Sequence, residues 1–235
     1  MQHNHHTAAD AATLAADLAR FTADRLQAGL AERDRVLLVL SGGSTPVPFF
    51  EALSKLPLDW SRVVVTLADD RWVPHDHADS NARLVRAHLL QGPAGAATFV
   101  PVSSEAPSPA DGQRAIEDEL TELPWPAEVT VFGMGGDGHT ASLFPHAPEL
   151  DAALDDAHAP LTLPVGAPAL PNVPVPRLTL TRRALLDTRC AVVHCTGAAK
   201  RALLEQAATA GEIAELPIRI VFQQDRVPVH VFHVD

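Results

Sequence analysis

Between Val129 and His146 the sequence VTVFGMGGDGHTASLFPH sets Asp137, Gly138 and His139 in succession on a glycine-rich turn, directly after an apolar run. Imidazole is the side chain best suited to take a proton near neutral pH, and a neighbouring carboxylate orients it and stabilises its charged form. Backbone N–H groups of Gly135 to Gly138, and of the short helix expected beyond them, are candidate donors to a developing oxyanion. Gly133, Gly135 and Gly138 also show the G-x-G-x-x-G spacing of a dinucleotide-binding turn. That fingerprint needs a long helix after its last glycine. Pro145 and Pro148 allow only a short one, so the spacing reads as coincidence and no cofactor is expected.

Two further loops carry chemistry of a different kind. In LSGGSTP, Gly42 and Gly43 let the backbone approach a ligand closely, Ser44 and Thr45 add hydroxyl donors, and Pro46 suits the first turn of a helix. A helix N-terminus there attracts anions, so the stretch reads as a phosphate or carboxylate cradle, with a capped tight turn as the other reading. It lacks the G-K-[ST] ending of a nucleoside-triphosphate loop. In LADDRWVPHDHADSN, Arg71 is placed to hold phosphate by paired, charge-assisted hydrogen bonds, with Asp69 and Asp70 fixing its position. His75, Asp76, His77 and Asp79 hint at a metal, but H-x-H without further spaced ligands reads as a surface loop, and no metal is expected. Lysine occurs only at Lys55 and Lys200, which singles out Lys200 at the start of the helix AAKRALLEQA.

These loops need a scaffold. Leu14, Leu18, Phe21, Leu26 and Leu30 recur at helical spacing from Thr7 to about Arg33 and predict one long amphipathic helix. RVLLVL, RVVVTLA, TFVPV, EVTVF, LTLPV, RLTLT, CAVVHCTG and VHVFHV read as strands. VPFFEALSKL, NARLVRAHLL, with Asp79 or Ser80 as cap, PADGQRAIEDELTEL and AAKRALLEQA read as helices. IRIVF fits either a strand or a short helix. Strands that are apolar throughout and alternate with helices imply a mainly parallel sheet covered on both faces, with the loops at its carboxyl ends converging on one cleft.

A net charge of −11 disfavours nucleic acid and anionic membrane as partners. No apolar run approaches the ~18 residues of a membrane span, and MQHNHHTAAD lacks the layout of a secretory signal. A soluble cytoplasmic protein is expected, a monomer or homodimer, with one domain over residues 1–235 of which 1–6 form a disordered tail. Cys190 and Cys195, five apart in one strand pattern, should leave opposite faces and remain reduced.

LSGGSTP, DDRWVP…DSN, GMGGDGHTASLFP, RLTLT and GAAK, in this order and spacing from about Leu38 to Lys200, resemble the 6-phosphogluconolactonase family. The resemblance implies an α/β fold, a three-layer α/β/α sandwich around a mainly parallel sheet, shared with glucosamine-6-phosphate deaminases and ribose-5-phosphate isomerases. It also implies metal-free hydrolysis of a phosphorylated sugar lactone, 6-phospho-D-glucono-1,5-lactone, in the oxidative pentose phosphate pathway. By motif, Gly42, Gly43, Ser44 and Thr45 would cradle the phosphate with Arg71 and Lys200, and Gly138 would contact the substrate. His139 would be the base, with Asp137 or Asp69 orienting the imidazole or the sugar hydroxyls. Asp70 stands where the family usually has Glu, and His146 where a small residue is common. Related deaminases carry a Glu in an NEP ending where this chain has Leu143-Phe144-Pro145. Two other readings are a serine hydrolase using Ser44, although SGGSTP is not a G-x-S-x-G elbow, and a sugar-phosphate sensor, for which residues before 36 offer no DNA-binding segment.

Overall fold

The computed structural model of the chain describes residues 3–169 and 171–234. In chain order the elements are β1 (Asn4–Thr7), α1 (Ala11–Glu32), β2 (Val36–Leu40), α2 (Val47–Leu53), β3 (Val63–Leu67), β4 (Asp69–Arg71), α3 (Asn81–His88), β5 (Thr98–Val100), α4 (Pro109–Thr121), β6 (Val129–Phe132), α5 (Leu150–Leu154), β7 (Thr162–Val165), β8 (Arg177–Leu180), α6 (Arg182–Leu185), β9 (Ala191–Thr196), α7 (Ala198–Ala207), α8 (Arg219–Phe222) and β10 (Val229–Val234).

Seven strands form one parallel sheet in the order β1-β10-β9-β6-β2-β3-β5. VLLVL in β2 and VVVTL in β3 are buried at every position, because helices cover both faces of these central strands. The Asp10 side chain accepts the Thr13 N–H at 2.7 Å and starts α1, which buries Leu14, Leu18, Leu26 and Leu30. Each such leucine contributes about 1.5–3 kcal/mol of burial. Ser80, not Asp79, caps α3, its hydroxyl accepting the Arg83 N–H at 3.2 Å. IRIVF resolves as the short helix α8. Cys190 and Cys195 are buried free thiols, and burial pushes both up to about 11.

Three sequence expectations change. Residues 4–6 are not a disordered tail: β1 pairs parallel with β10 at the sheet edge, and residues 1–2 lie outside the described residues. The His6 ring stacks on Phe232 at 4.2 Å and bonds His230 at 3.0 Å, with Phe21 of α1 beside all three rings. Burial holds His6 and His230 below the ordinary histidine range, so these rings pack as neutral aromatics. Second, DDR is not loop but β4, which joins β8 and β7 in a separate three-stranded antiparallel sheet. Third, no helix follows Gly138 directly; residues 139–149 are turns, and α5 begins only at Leu150.

The chain passes outward from β2 to β3 and β5, then returns to β6 on the other side of β2. The loops after β2 and β6 therefore leave the sheet in opposite directions and open a crevice at the carboxyl ends of the strands. Ligands of open parallel sheets bind at such a reversal of strand order.

Candidate active site

That crevice is a cleft of about 220 Å³, lined by the loop after β2, the turn after β6, and side chains from β4, α3, β8, β9 and α7. Gly42, Gly43, Ser44, Thr45, Asp69, Arg71, His139 and Lys200 all line it, while Asp137 and Gly138 do not.

The loop after β2 depends on its two glycines for different reasons. A Cβ on Gly42 would lie 1.9 Å from Asn81 Oδ1, and Gly43 has φ +94°, a conformation that favours glycine. Asn81 is held in place by donating from Nδ2 to the Asp69 carbonyl at 3.0 Å. Among the described residues the hydroxyls of Ser44 and Thr45 have no hydrogen-bond partner. Gly42→Ala is expected to displace Asn81 and raise KM at least about tenfold with a much smaller change in kcat; steady-state kinetics check this.

The turn after β6 presents the histidine. His139 Nδ1 lies 2.5 Å from Asp137 Oδ1, which also accepts the His139 backbone N–H at 3.1 Å, and Asn172 Nδ2 donates to the other carboxylate oxygen at 3.2 Å. Burial opposes ionisation of Asp137, but the His139 ring and these donors outweigh it and hold the carboxyl well below the usual range. The ring packs on Phe144 at 4.7 Å. It also covers Gly135, where a Cβ would meet Cε1 at 2.1 Å. The remaining ring nitrogen, Nε2, is the one free to act on a substrate.

Gly138 has a supporting place. Its φ is +82°, a Cβ would meet Leu216 at 2.4 Å, and its N–H donates to the Gly135 carbonyl at 3.1 Å. The Gly135 N–H donates to the His139 carbonyl at 2.9 Å. Of the N–H groups from Gly135 to Gly138 expected to face an oxyanion, those of Gly135 and Gly138 are thus taken up in shaping the turn.

The two aspartates after β3 serve opposite ends. Asp69 accepts from Ser142 Oγ and lies 3.7 Å from Arg177 Nη1, whereas the carboxylate bonded to the His139 ring is that of Asp137. Asp70 is fully buried and accepts the N–H groups of Asn81 at 2.7 Å, Ala82 at 3.0 Å and Arg71 at 2.8 Å, with the Ser80 and Ser103 hydroxyls at 3.3 and 3.2 Å. Burial pushes its carboxyl up, and the three N–H groups draw it back. Asp70 therefore ties α3 to β4 and does not reach the cleft. Asp70→Ala would strand the first N–H groups of α3 and is expected to lower stability by about 2–4 kcal/mol, read as a lower Tm. His75 bonds the Ser103 carbonyl at 3.0 Å, His77 pairs with Asp79, and His146 pairs with Glu215, all away from the cleft.

The sequence motifs assign no role to four polar cleft residues: Ser41, Asn81, Arg177 and His194. Arg177 stands opposite Arg71 in the β4–β8 register and is 3% exposed. Its guanidinium lies 5.2 Å from the Phe144 ring and donates to the Val173 carbonyl at 3.1 Å. Arg71 donates to the Asp79 carbonyl at 2.7 Å. His194 projects from β9 beside Phe49 and is 4% exposed; burial, aided by the Lys200 charge, pushes it down to about 4. Ser41 Oγ, Arg71 Nε, Arg177 Nε and His194 Nδ1 are buried without a hydrogen-bond partner. Of these atoms, Ser41 Oγ and the two arginine Nε groups are donors among the cleft-lining residues and, with the Lys200 ammonium, match an anionic, oxygen-rich ligand.

Residues 9–230 match the family model described as glucosamine-6-phosphate isomerases/6-phosphogluconolactonase. The 6-phosphogluconolactonase of Pseudomonas aeruginosa is 47% identical over 209 residues, covering 89% of this chain and 87% of that protein. The crystal structure of a 6-phosphogluconolactonase from Shewanella baltica superposes with a TM-score of 0.94 at 36% identity, covering 100% of this chain and 98% of that one. A monomeric glucosamine-6-phosphate deaminase, at TM-score 0.75 and 16% identity over 97% of this chain and 96% of its own, shares the fold. With its α/β architecture, its glycine loop and its Asp-Gly-His turn, the chain belongs to the glucosamine-6-phosphate isomerase/6-phosphogluconolactonase family.

Proposed function

We propose that the chain hydrolyses 6-phospho-D-glucono-1,5-lactone to 6-phospho-D-gluconate, a step of the oxidative pentose phosphate pathway, with His139 as general base. The observation that carries this reading is the His139–Asp137 pair facing a cleft walled by Arg71, Arg177 and Lys200. His139 Nε2 takes a proton from water as the water oxygen bonds to C1. Collapse of the tetrahedral intermediate breaks the bond from C1 to the ring oxygen, which receives that proton from the imidazolium. Asp137, ionised at neutral pH, keeps Nδ1 protonated and offsets the charge that the ring acquires. Gly42 to Thr45, Lys200 and the arginines hold the phosphate, so binding energy from a group remote from C1 orients the lactone. Where deaminase relatives carry a carboxylate, Leu143 and Phe144 are buried and apolar, and Phe144 packs on the His139 ring.

A net-negative protein with a cationic cleft also focuses an anionic substrate onto its site. The deciding experiment is turnover of freshly generated lactone, corrected for spontaneous hydrolysis. A kcat/KM of about 10⁴–10⁸ M⁻¹s⁻¹ is expected. A rate no higher than the uncatalysed background overturns the reading.

A further inference from the structure

His194 sits in the middle of an apolar strand, yet its ring forms part of the cleft wall rather than of the core alone. It follows Val193, which pairs with Phe132 at the end of β6, so it lies at the carboxyl edge of the sheet where the cleft begins. Nδ1 is sealed from solvent without a partner, which leaves Nε2 as the ring nitrogen at the cleft. A neutral imidazole carries one N–H and one lone pair. A buried N–H without an acceptor is rarer in proteins than a buried acceptor without a donor. The sealed Nδ1 therefore keeps the lone pair, and the N–H is placed on Nε2.

From this arrangement we infer that His194 is a neutral donor that binds the substrate's phosphoryl group through Nε2–H, alongside the Lys200 ammonium. The inference deepens the lactonase reading and rests on its placement of phosphate at the Lys200 end of the cleft. Among the described residues, Lys200 acts on this ring and no carboxylate does. A neutral donor there adds a directional bond to phosphate without a second positive charge against Lys200. A merely structural histidine would have both nitrogens satisfied or would be replaced by an apolar residue at no cost to binding.

Two substitutions separate these roles. His194→Leu keeps bulk and removes the donor; His194→Gln keeps an N–H near the position of Nε2. The Leu variant should weaken binding of inorganic phosphate, measured by calorimetry, by about tenfold or more, as loss of a hydrogen bond to a charged group requires. Its preference for phosphorylated over unphosphorylated gluconolactone in kcat/KM should fall by the same factor, with the Gln variant recovering most of both. In the native protein, ¹⁵N spectra of the histidine rings should show His194 as the Nε2–H tautomer and shift it when inorganic phosphate is added. Phosphate affinity and substrate preference unchanged in the Leu variant would overturn the inference, as would a His194 signal indifferent to saturating phosphate. Because the calorimetric and spectroscopic readings need no lactone, they test His194 even if lactone turnover is absent, which would remove the lactonase reading alone.

Discussion

His139→Ala is expected to lower kcat about 10²–10⁴-fold while leaving KM within a few-fold. Removing the imidazole takes away the base but not Arg71, Arg177, Lys200 or the glycine loop, which lie on other elements. The cavity it leaves opens over Gly135 and beside Phe144, so the turn keeps its glycine hydrogen bonds. Asp137→Asn makes a graded companion: the carboxylate that accepts from both the His139 ring and its backbone becomes an amide, and a loss of about tenfold to a hundredfold is expected. Stopped assays under background correction measure both. A His139→Ala enzyme with native kcat would remove the histidine from the chemistry, whatever its position.

Arg177→Leu carries the second large effect, and it acts on two quantities at once. Asp69 would remain buried opposite an apolar side chain, and breaking a buried pair by removing one partner costs about 3–5 kcal/mol. The same change deletes a cation that faces the cleft next to Arg71, and KM for the phosphorylated lactone should rise about tenfold to a hundredfold. Arg177→Leu combined with Asp69→Asn separates the two. Removing both charges should recover much of the lost stability, because no unpaired carboxylate remains, yet KM should stay high. Denaturant unfolding and steady-state kinetics on the single and double variants give the answer. A double variant that also regains its KM would mean that Arg177 acts only by holding Asp69.

What the sequence conveys about this site follows how local the cause is. The glycine loop and the Asp-Gly-His turn are legible because backbone conformation and the histidine's partner are set within a few residues. Likewise the buried strands announce themselves by unbroken apolar runs. Arg177 is not legible in this way: RLTLT reads as an alternating strand, and the arginine gains its meaning only from pairing opposite Arg71 across a second sheet. His194 is hidden for the opposite reason, since one histidine inside CAVVHCTG looks like core until the strand order puts its end at the cleft. Asp70 was placed beside Arg71 by adjacency, but alternation along β4 turns it inward to cap α3. In HNHH, polarity concealed an edge strand, because neutral imidazoles stack on phenylalanine as well as they meet water.

The pairing of β1 with β10 has a consequence for how the molecule is made. His6 and His230 meet across 224 residues of chain, so β1 waits for a strand synthesised long after it. Until β10 has emerged from the ribosome and docked on β9, residues 4–7 have no sheet to join, and α1 lacks one of the strands it rests on. Contacts of such sequence separation form late and slowly. Completion of this edge therefore waits for β10, and a nascent chain stalled before Val229 would carry its histidine-rich strand unpaired.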